Sequence, residues 1–187
     1  MAKVRIEDTV ANPCRLAFTQ FLFEAGTVGG EGKPAFSCTA IIPKTHPAVK
    51  LLNAAEEQAA KEKWGEKAAV NLKAIRAAGK GVVKDGDLKA SYAGFEGNAF
   101  VSLRAEKRPN VYDSDLSQLT AADGKVYAGC HGHVVLDVWA QDNQYGKRLN
   151  AQLAGVMFSR EGDAFGSGGT PATTDDFADL SADSLVD

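Results

Sequence analysis

Residues 125–141 (KVYAGCHGHVVLDVWAQ), the turn 142–147 (DNQYGK) and residues 148–160 (RLNAQLAGVMFSR) decide the fold class. Val134, Leu136 and Val138 alternate with polar and aromatic neighbours, the period-two signature of a strand with one buried face. DNQYGK interrupts that run with turn-forming residues and 148–160 resumes it, so the stretch predicts a long β-hairpin. Gly129 and Gly132 in the first arm invite a bulge or tight bend.

Outward from the hairpin, residues 98–104 (NAFVSLR) alternate in the same way. Ala99, Val101 and Leu103 fall on one side and Phe100, Ser102 and Arg104 on the other. Residues 14–23 (CRLAFTQFLF), bounded by Pro13 and the glycine-rich AGTVGGEGKP, pair plausibly with 36–42 (FSCTAII), closed by Pro43. A helix follows. Thr45 is its candidate cap, Pro47 sits in the first turn where a missing N–H is harmless, and an Ala-, Leu-, Glu- and Lys-rich run continues until Gly65. Val49, Leu52 and Ala59 would share its apolar face, and a shorter helical stretch spans 67–78 before Gly79. Residues 79–97 and 106–124 read as polar connections. Five main strands with a helical insertion after the second predict a mainly β fold, an OB-like five-stranded antiparallel barrel, although a β-sandwich meets the same count.

The chain has 187 residues, enough for one domain with a real core. Its formal charge of −3 is unevenly spread: residues 161–187 hold seven acids and no Lys or Arg, leaving a basic body of about +4 over residues 1–160. That last segment is rich in Gly, Ser, Thr, Pro and Asp without apolar periodicity, so a disordered acidic tail is expected. Three well-separated cysteines (Cys14, Cys38, Cys130) suggest reduced, buried thiols rather than a disulfide framework. The N-terminal stretch carries no apolar signal region and no long apolar run follows, so a cytoplasmic protein without a membrane partner is expected.

Motifs for catalysis are missing: no GxGxxG opens a helix, and GxxxxGK[ST], HExxH and GxSxG do not occur. Cys130, His131 and His133 are close in sequence, but neighbours on a strand point to opposite faces and no further ligand cluster completes a site. Neither a metal, a cofactor nor an enzymatic activity is expected. What stands out is a mixture of bases and aromatics: Arg15, Lys89, Arg104, Lys107, Arg108, Lys147 and Arg148 with Tyr92, Phe95, Phe100, Tyr112, Tyr127, Trp139 and Tyr145. Exposed rings stack on unpaired bases at roughly 1–3 kcal/mol each, and Lys and Arg neutralise phosphate, so this mixture suits single-stranded nucleic acid.

The order CRLAFTQFLFEA, PAFSCTAIIPKTHP, AAKEKWG, SYAGFEGNAFVSLRAEKRPNVYD, VYAGCHGHVVLDVWAQDNQYGKRLNAQLAGVMFSREGDAFG and DDFADL resembles the tailed-phage single-stranded DNA-binding proteins, formerly a domain of unknown function. The similarity runs from Arg15 to Leu180. It implies an OB-fold core, sequence-tolerant binding of single-stranded DNA in phage replication, recombination or repair, and an acidic C-terminal tail. Asp175, Asp176, Phe177, Asp179 and Leu180 are the tail residues expected to recruit replication or recombination proteins and to compete with DNA for the basic body. Homo-oligomerisation is compatible with this reading. The alternative is a non-enzymatic virion or protein-interaction module that uses the same β surface without nucleic acid.

Overall fold

The computed structural model describes residues 2–166 together with Thr174 and Phe177. Eight strands form one sheet, mainly β, with a helical segment inserted between its third and fourth strands. They are β1 (Ala2–Ile6), β2 (Arg15–Ala17), β3 (Phe36–Pro43), β4 (Lys84–Asp85), β5 (Asn98–Ala105), β6 (Asn110–Tyr112), β7 (His131–Asn143) and β8 (Gly146–Arg160). The expected count of five is corrected by β1, β4 and β6. Two or three residues are too short to display a period of two, which hides β4 and β6, whereas β1 does alternate, with Val4 and Ile6 buried and Lys3 and Arg5 exposed.

The β7–β8 hairpin is the long element the sequence predicts, with register shifts at His131/Gly132 and Val135/Leu136. Its first arm begins at His131 rather than at residue 125. Five strands pair in a closed circuit: β7 with β2, β2 with β3, β3 with β5, β5 with β8, and β8 back to β7. Not all of it is antiparallel, because β5 and β6 both run parallel to β8. Inward residues alternate as the pleat demands. Val134, Leu136 and Val138 of β7, Val101 and Leu103 of β5, and Leu149, Leu153 and Val156 of β8 are all buried in one core.

The inserted segment comprises α1 (Pro47–Trp64) and α2 (Ala68–Ala77). His46, not Thr45, caps α1: its Nδ1 accepts from the Ala48 N–H at 2.9 Å, and its Nε2 lies 2.9 Å from the Glu7 carbonyl. An imidazole does here what a hydroxyl was expected to do. Leu52, Ala55 and Ala59 are buried at helical spacing, and the carboxylate of buried Glu56 accepts from Val82 N–H at 3.1 Å while facing Arg76. Gly81 leaves room for that carboxylate, since a Cβ there would lie 2.8 Å from Glu56 Oε2. Thus α1 is fastened to the bend that leads into β4. Trp64, the last residue of α1, donates to Asp142 Oδ2 at 2.8 Å near the tip of the hairpin.

Residues 86–97 cover the outer face of β5 where it begins. Phe95, Phe100, Ile41 and Ala17 make a second, smaller core there, with Phe18 and Phe165 packed on its rim. Phe165 belongs to the segment after β8 that reads as tail in the sequence. That segment lies on the body through residue 166: Phe165 N–H donates to Ala128 O at 2.8 Å, Gly162 N–H donates to Tyr127 Oη at 3.0 Å, and the Arg15 guanidinium stacks on the Phe165 ring at 4.1 Å. A Cβ on Gly94 would stand 2.5 Å from the Phe165 ring, so glycine is what lets the ring approach. The expected disorder of the remaining tail falls outside the described residues, and of the five tail residues singled out only Phe177 is described, as exposed.

Candidate functional site

A cleft of about 930 Å³ crosses the outer faces of β3, β5, β8 and the distal part of β7. Its floor follows from strand alternation. Residues one step away from the buried set face outward, and in register they place Ser37 beside Arg104, Thr39 beside Ser102, Arg104 beside Gln152 and Trp139 beside Asn150. The floor is therefore small and polar, and Gln141 Oε1 is held by Asn150 Nδ2 at 2.9 Å. The walls are aromatic and cationic. Phe18 and Phe21 follow β2, Lys89 and Tyr92 come from the 86–97 cover, and Lys107 comes from the turn after β5.

Five cations line this cleft, Lys84, Lys89, Arg104, Lys107 and Arg148, against one acid, Glu106, which is paired with Lys33 at 3.4 Å. Arg104 also donates to the Lys33 carbonyl at 3.0 Å, which ties the glycine-rich loop to the cleft's rim. The aromatics are presented with their rings accessible: Tyr92 is 52% exposed and Trp139 36%. Tyr92 meets Phe18 edge to face at 5.4 Å between centroids. Such a surface attracts a polyanion along its length and offers rings to flat apolar groups attached to it.

Of the fourteen sequence-predicted contacts, Lys89, Tyr92, Arg104, Lys107, Trp139 and Arg148 come together in the cleft. Phe95 and Phe100 do not: they are 1% and 2% exposed. Phe100 does lie on the outward face of β5, but residues 86–97 close over it, so both rings serve as core beneath Lys89. Arg15 is likewise committed elsewhere, its guanidinium donating to the carbonyls of Gly129 and Asp163. Tyr127 is half-buried and donates to Gly162 O at 2.7 Å. Tyr112 lines a different, smaller depression with Arg5, His133 and Met157. Arg108 leans over the Phe36 ring at 5.8 Å, while Tyr145 and Lys147 sit at the hairpin tip, Lys147 3.8 Å from Asp142.

Sequence reasoning missed Phe18, Phe21 and Lys84. The two rings sit in CRLAFTQFLF, where an apolar run reads as buried strand, but β2 ends at Ala17 and the backbone turns at Phe18 (φ 51°, ψ 50°) into a short 3-10 turn. Lys84 lies in GKGVVKDGDLK, where the signal was the pair Val82–Val83 between glycines.

Elsewhere the titratable groups are satisfied. Burial alone would raise the Asp8 carboxyl, but Arg160, the Cys14 N–H, Ser159 and His131 together hold it at about 2. His133 Nδ1 accepts from Asp8 N–H at 2.9 Å. Burial pushes the Cys38 thiol up to about 12 and raises Cys14 and Cys130 as well, so none is a ready nucleophile. Among the described residues no three His, Cys, Asp or Glu side chains are grouped to hold a metal ion, and no helix is long and apolar enough to cross a membrane.

A family model described as the ssDNA-binding protein of Enterobacter phage Enc34 matches residues 7–186. Protein p50 of Acyrthosiphon pisum secondary endosymbiont phage 1 is 36% identical over 173 residues, 91% of this chain and 92% of its own. The solved structure of the single-stranded DNA-binding protein from bacteriophage Enc34 superposes with a TM-score of 0.70 at 27% identity, over 94% of this chain and 90% of that one. The same protein in complex with ssDNA gives 0.71 at 22% identity, over 88% and 90%. The single-stranded DNA-binding protein encoded by bacteriophage T7 shares the fold at a TM-score of 0.56 and 13% identity, over 95% and 94%.

Proposed function

The chain belongs to the Enc34 family of phage ssDNA-binding proteins, and from that premise we propose that it is a non-catalytic, sequence-tolerant binder of single-stranded DNA whose strand lies along the cleft. The closed circuit of five paired strands is read as an OB-like barrel, and the cleft as the groove on its outer wall. The observation that carries the proposal is the lining itself: five cations, one already paired acid, and accessible rings of Phe18, Phe21, Tyr92 and Trp139 over a polar floor. Phosphates meet the cations and bases stack on the rings. The floor offers side-chain hydrogen bonds at no fixed base spacing, which suits sequence tolerance.

Fluorescence anisotropy with a labelled oligothymidine is the test. Affinity should fall steeply with salt, with a log–log slope of about −0.7 for each phosphate neutralised, and should exceed that for a duplex of equal length. Binding that is indifferent to salt, or equal for both forms, overturns the reading.

The acidic tail, through Asp175, Asp176, Phe177, Asp179 and Leu180, is proposed to compete with DNA for the cleft and to recruit replication or recombination proteins once displaced. Because residues 161–166 pack on the body, the deletion that isolates the tail starts at residue 167. Removing 167–187 should tighten oligonucleotide binding several-fold at low salt and leave it unchanged at high salt, as screening of the tail's charge requires. Equal affinity at low salt removes the competitive role.

A further inference from the structure

Three of the cleft's cations, Lys84, Lys89 and Arg148, are grouped around Lys84 near Phe100 of β5. Lys84 of β4 is half-buried and lies opposite Phe100 in the β4–β5 register. Lys89 holds its ammonium over the rings of Phe100, Phe18 and Phe95 at 5.2, 5.7 and 6.0 Å. Arg148, third in β8, lies opposite Gln141 with its Nε buried and without a hydrogen-bond partner. Among the described residues none of the cleft's five cations has a carboxylate within ion-pair distance, whereas Lys44, Arg76, Lys125 and Arg160 each have at least one. Burial first, and then the Arg148 and Lys89 charges, push the Lys84 ammonium below the usual lysine range. Lys84 is therefore repelled by both neighbours in a partly desolvated place, an arrangement that raises the energy of the empty cleft and is relieved when an anion enters.

The neighbouring wall narrows the choice of anion. Phe18 keeps a left-handed backbone conformation that a non-glycine residue adopts at a cost of about 1 kcal/mol, and its ring packs against the half-exposed Tyr92. A strained aromatic beside uncompensated cations suits a ligand that carries a flat ring next to its charge. We propose that Lys84, Lys89 and Arg148 form one phosphate subsite, holding a single internucleotide phosphate while an adjoining base lies on the Tyr92–Phe18 wall. This rests on the single-stranded DNA reading above and fixes the point in the cleft where the strand is held hardest.

The experiment uses the full chain and a labelled oligothymidine over a salt series, with Lys84→Gln, Lys89→Gln and, as reference, Lys147→Gln at the hairpin tip. For Lys84→Gln or Lys89→Gln the salt slope should shrink by a fraction of the roughly 0.7 due to one phosphate, by no more than about 0.7 for the two combined, and affinity at moderate salt should fall roughly tenfold, with Lys147→Gln within about twofold of the parent. Amine-reactive labelling of the unmodified protein, read by mass spectrometry, gives an answer that does not depend on a variant folding. Oligonucleotide should protect Lys84 and Lys89 but not Lys147, and inorganic phosphate at the same phosphate concentration should protect neither. If the parent binds the oligonucleotide but the variants match Lys147→Gln, or Lys84 labels equally with and without it, the subsite is overturned and the DNA reading stands. Protection by inorganic phosphate alone assigns the site to a free anion instead. A parent that does not bind single strands at all removes the reading and the subsite together.

Discussion

The two ends of the β7–β8 hairpin carry opposite electrostatic arrangements. At the β8 exit, Asp8 accepts from Arg160, Ser159, His131 and the Cys14 backbone, so a buried charge meets a full complement of donors and joins the N-terminal segment, β2, β7 and β8. At the other end, Lys84, Lys89 and Arg148 share a cleft with no acid of their own. The first arrangement lowers the energy of the folded chain by itself, and the second does so only with something bound. On this view complete satisfaction suits a structural site and incomplete satisfaction a binding one, and residue type alone does not separate Arg15 and Tyr127, whose polar groups are occupied within the fold, from Lys84.

The largest effect expected from breaking this contrast is at Asp8. Asp8→Ala leaves Arg160, Ser159 and His131 without their common acceptor and should cost about 3 kcal/mol of stability in urea unfolding. Oligonucleotide affinity of the folded variant should stay near that of the parent, because Asp8 does not line the cleft. The same carboxylate sets an acid limit. Its folded value of about 2 lies below the ordinary 3.8, so its stabilisation is present in full above about pH 4 and is lost as pH falls toward 2. Thermal melts from pH 5 to pH 2 should show that loss in the parent and a shallower one in Asp8→Ala. Equal slopes would separate acid sensitivity from this cluster.

At the open end the larger single effect should come from Trp139, whose ring lies on the cleft floor with the exposure a stacked base needs. Trp139→Ala should weaken oligothymidine binding by about tenfold or more, in keeping with roughly 1–3 kcal/mol per stacked base, and should leave the salt slope unchanged because no phosphate contact is lost. A changed slope with little change in affinity would show that the ring only shields neighbouring cations.

The hairpin, β5 and α1 are legible in the sequence because each is long enough to display its period, and β3, buried on both faces from Cys38 to Ile42, because its apolar run is closed by Pro43. The cleft is legible only in part. Trp139, Arg104 and Arg148 follow from alternation once the inward set is known, since outward residues of paired strands must share a face. Phe100 obeys the same rule and yet is buried, because the stretch 86–97 just before β5 folds back over it, and no local pattern announces such a cover. Phe18 and Lys84 come to the cleft through a break in β2 and a strand of two residues. Phe165 stands among Gly and Asp residues that suggest disorder, yet the space left by Gly94, the guanidinium of Arg15, the small second core and the Ala128 carbonyl give it a seat.

The smallest predicted effect sharpens where the open end stops. Tyr145 is 78% exposed at the hairpin tip, the aromatic that composition alone would rank first for stacking, yet it lies outside the cleft lining. Its backbone N–H donates to Asn143 Oδ1 at 2.9 Å, and Asp142 beside it is held by Trp64, so the tip is fixed rather than free to fold over the cleft. Tyr145→Ala should therefore change stability and oligonucleotide affinity by no more than about 0.5 kcal/mol. A loss equal to that of Trp139→Ala would mean that the strand continues beyond Arg148 and over the tip. The uncompensated cations would then lie in the middle of the binding path rather than near its end, and binding should keep strengthening as oligonucleotides are lengthened on that side.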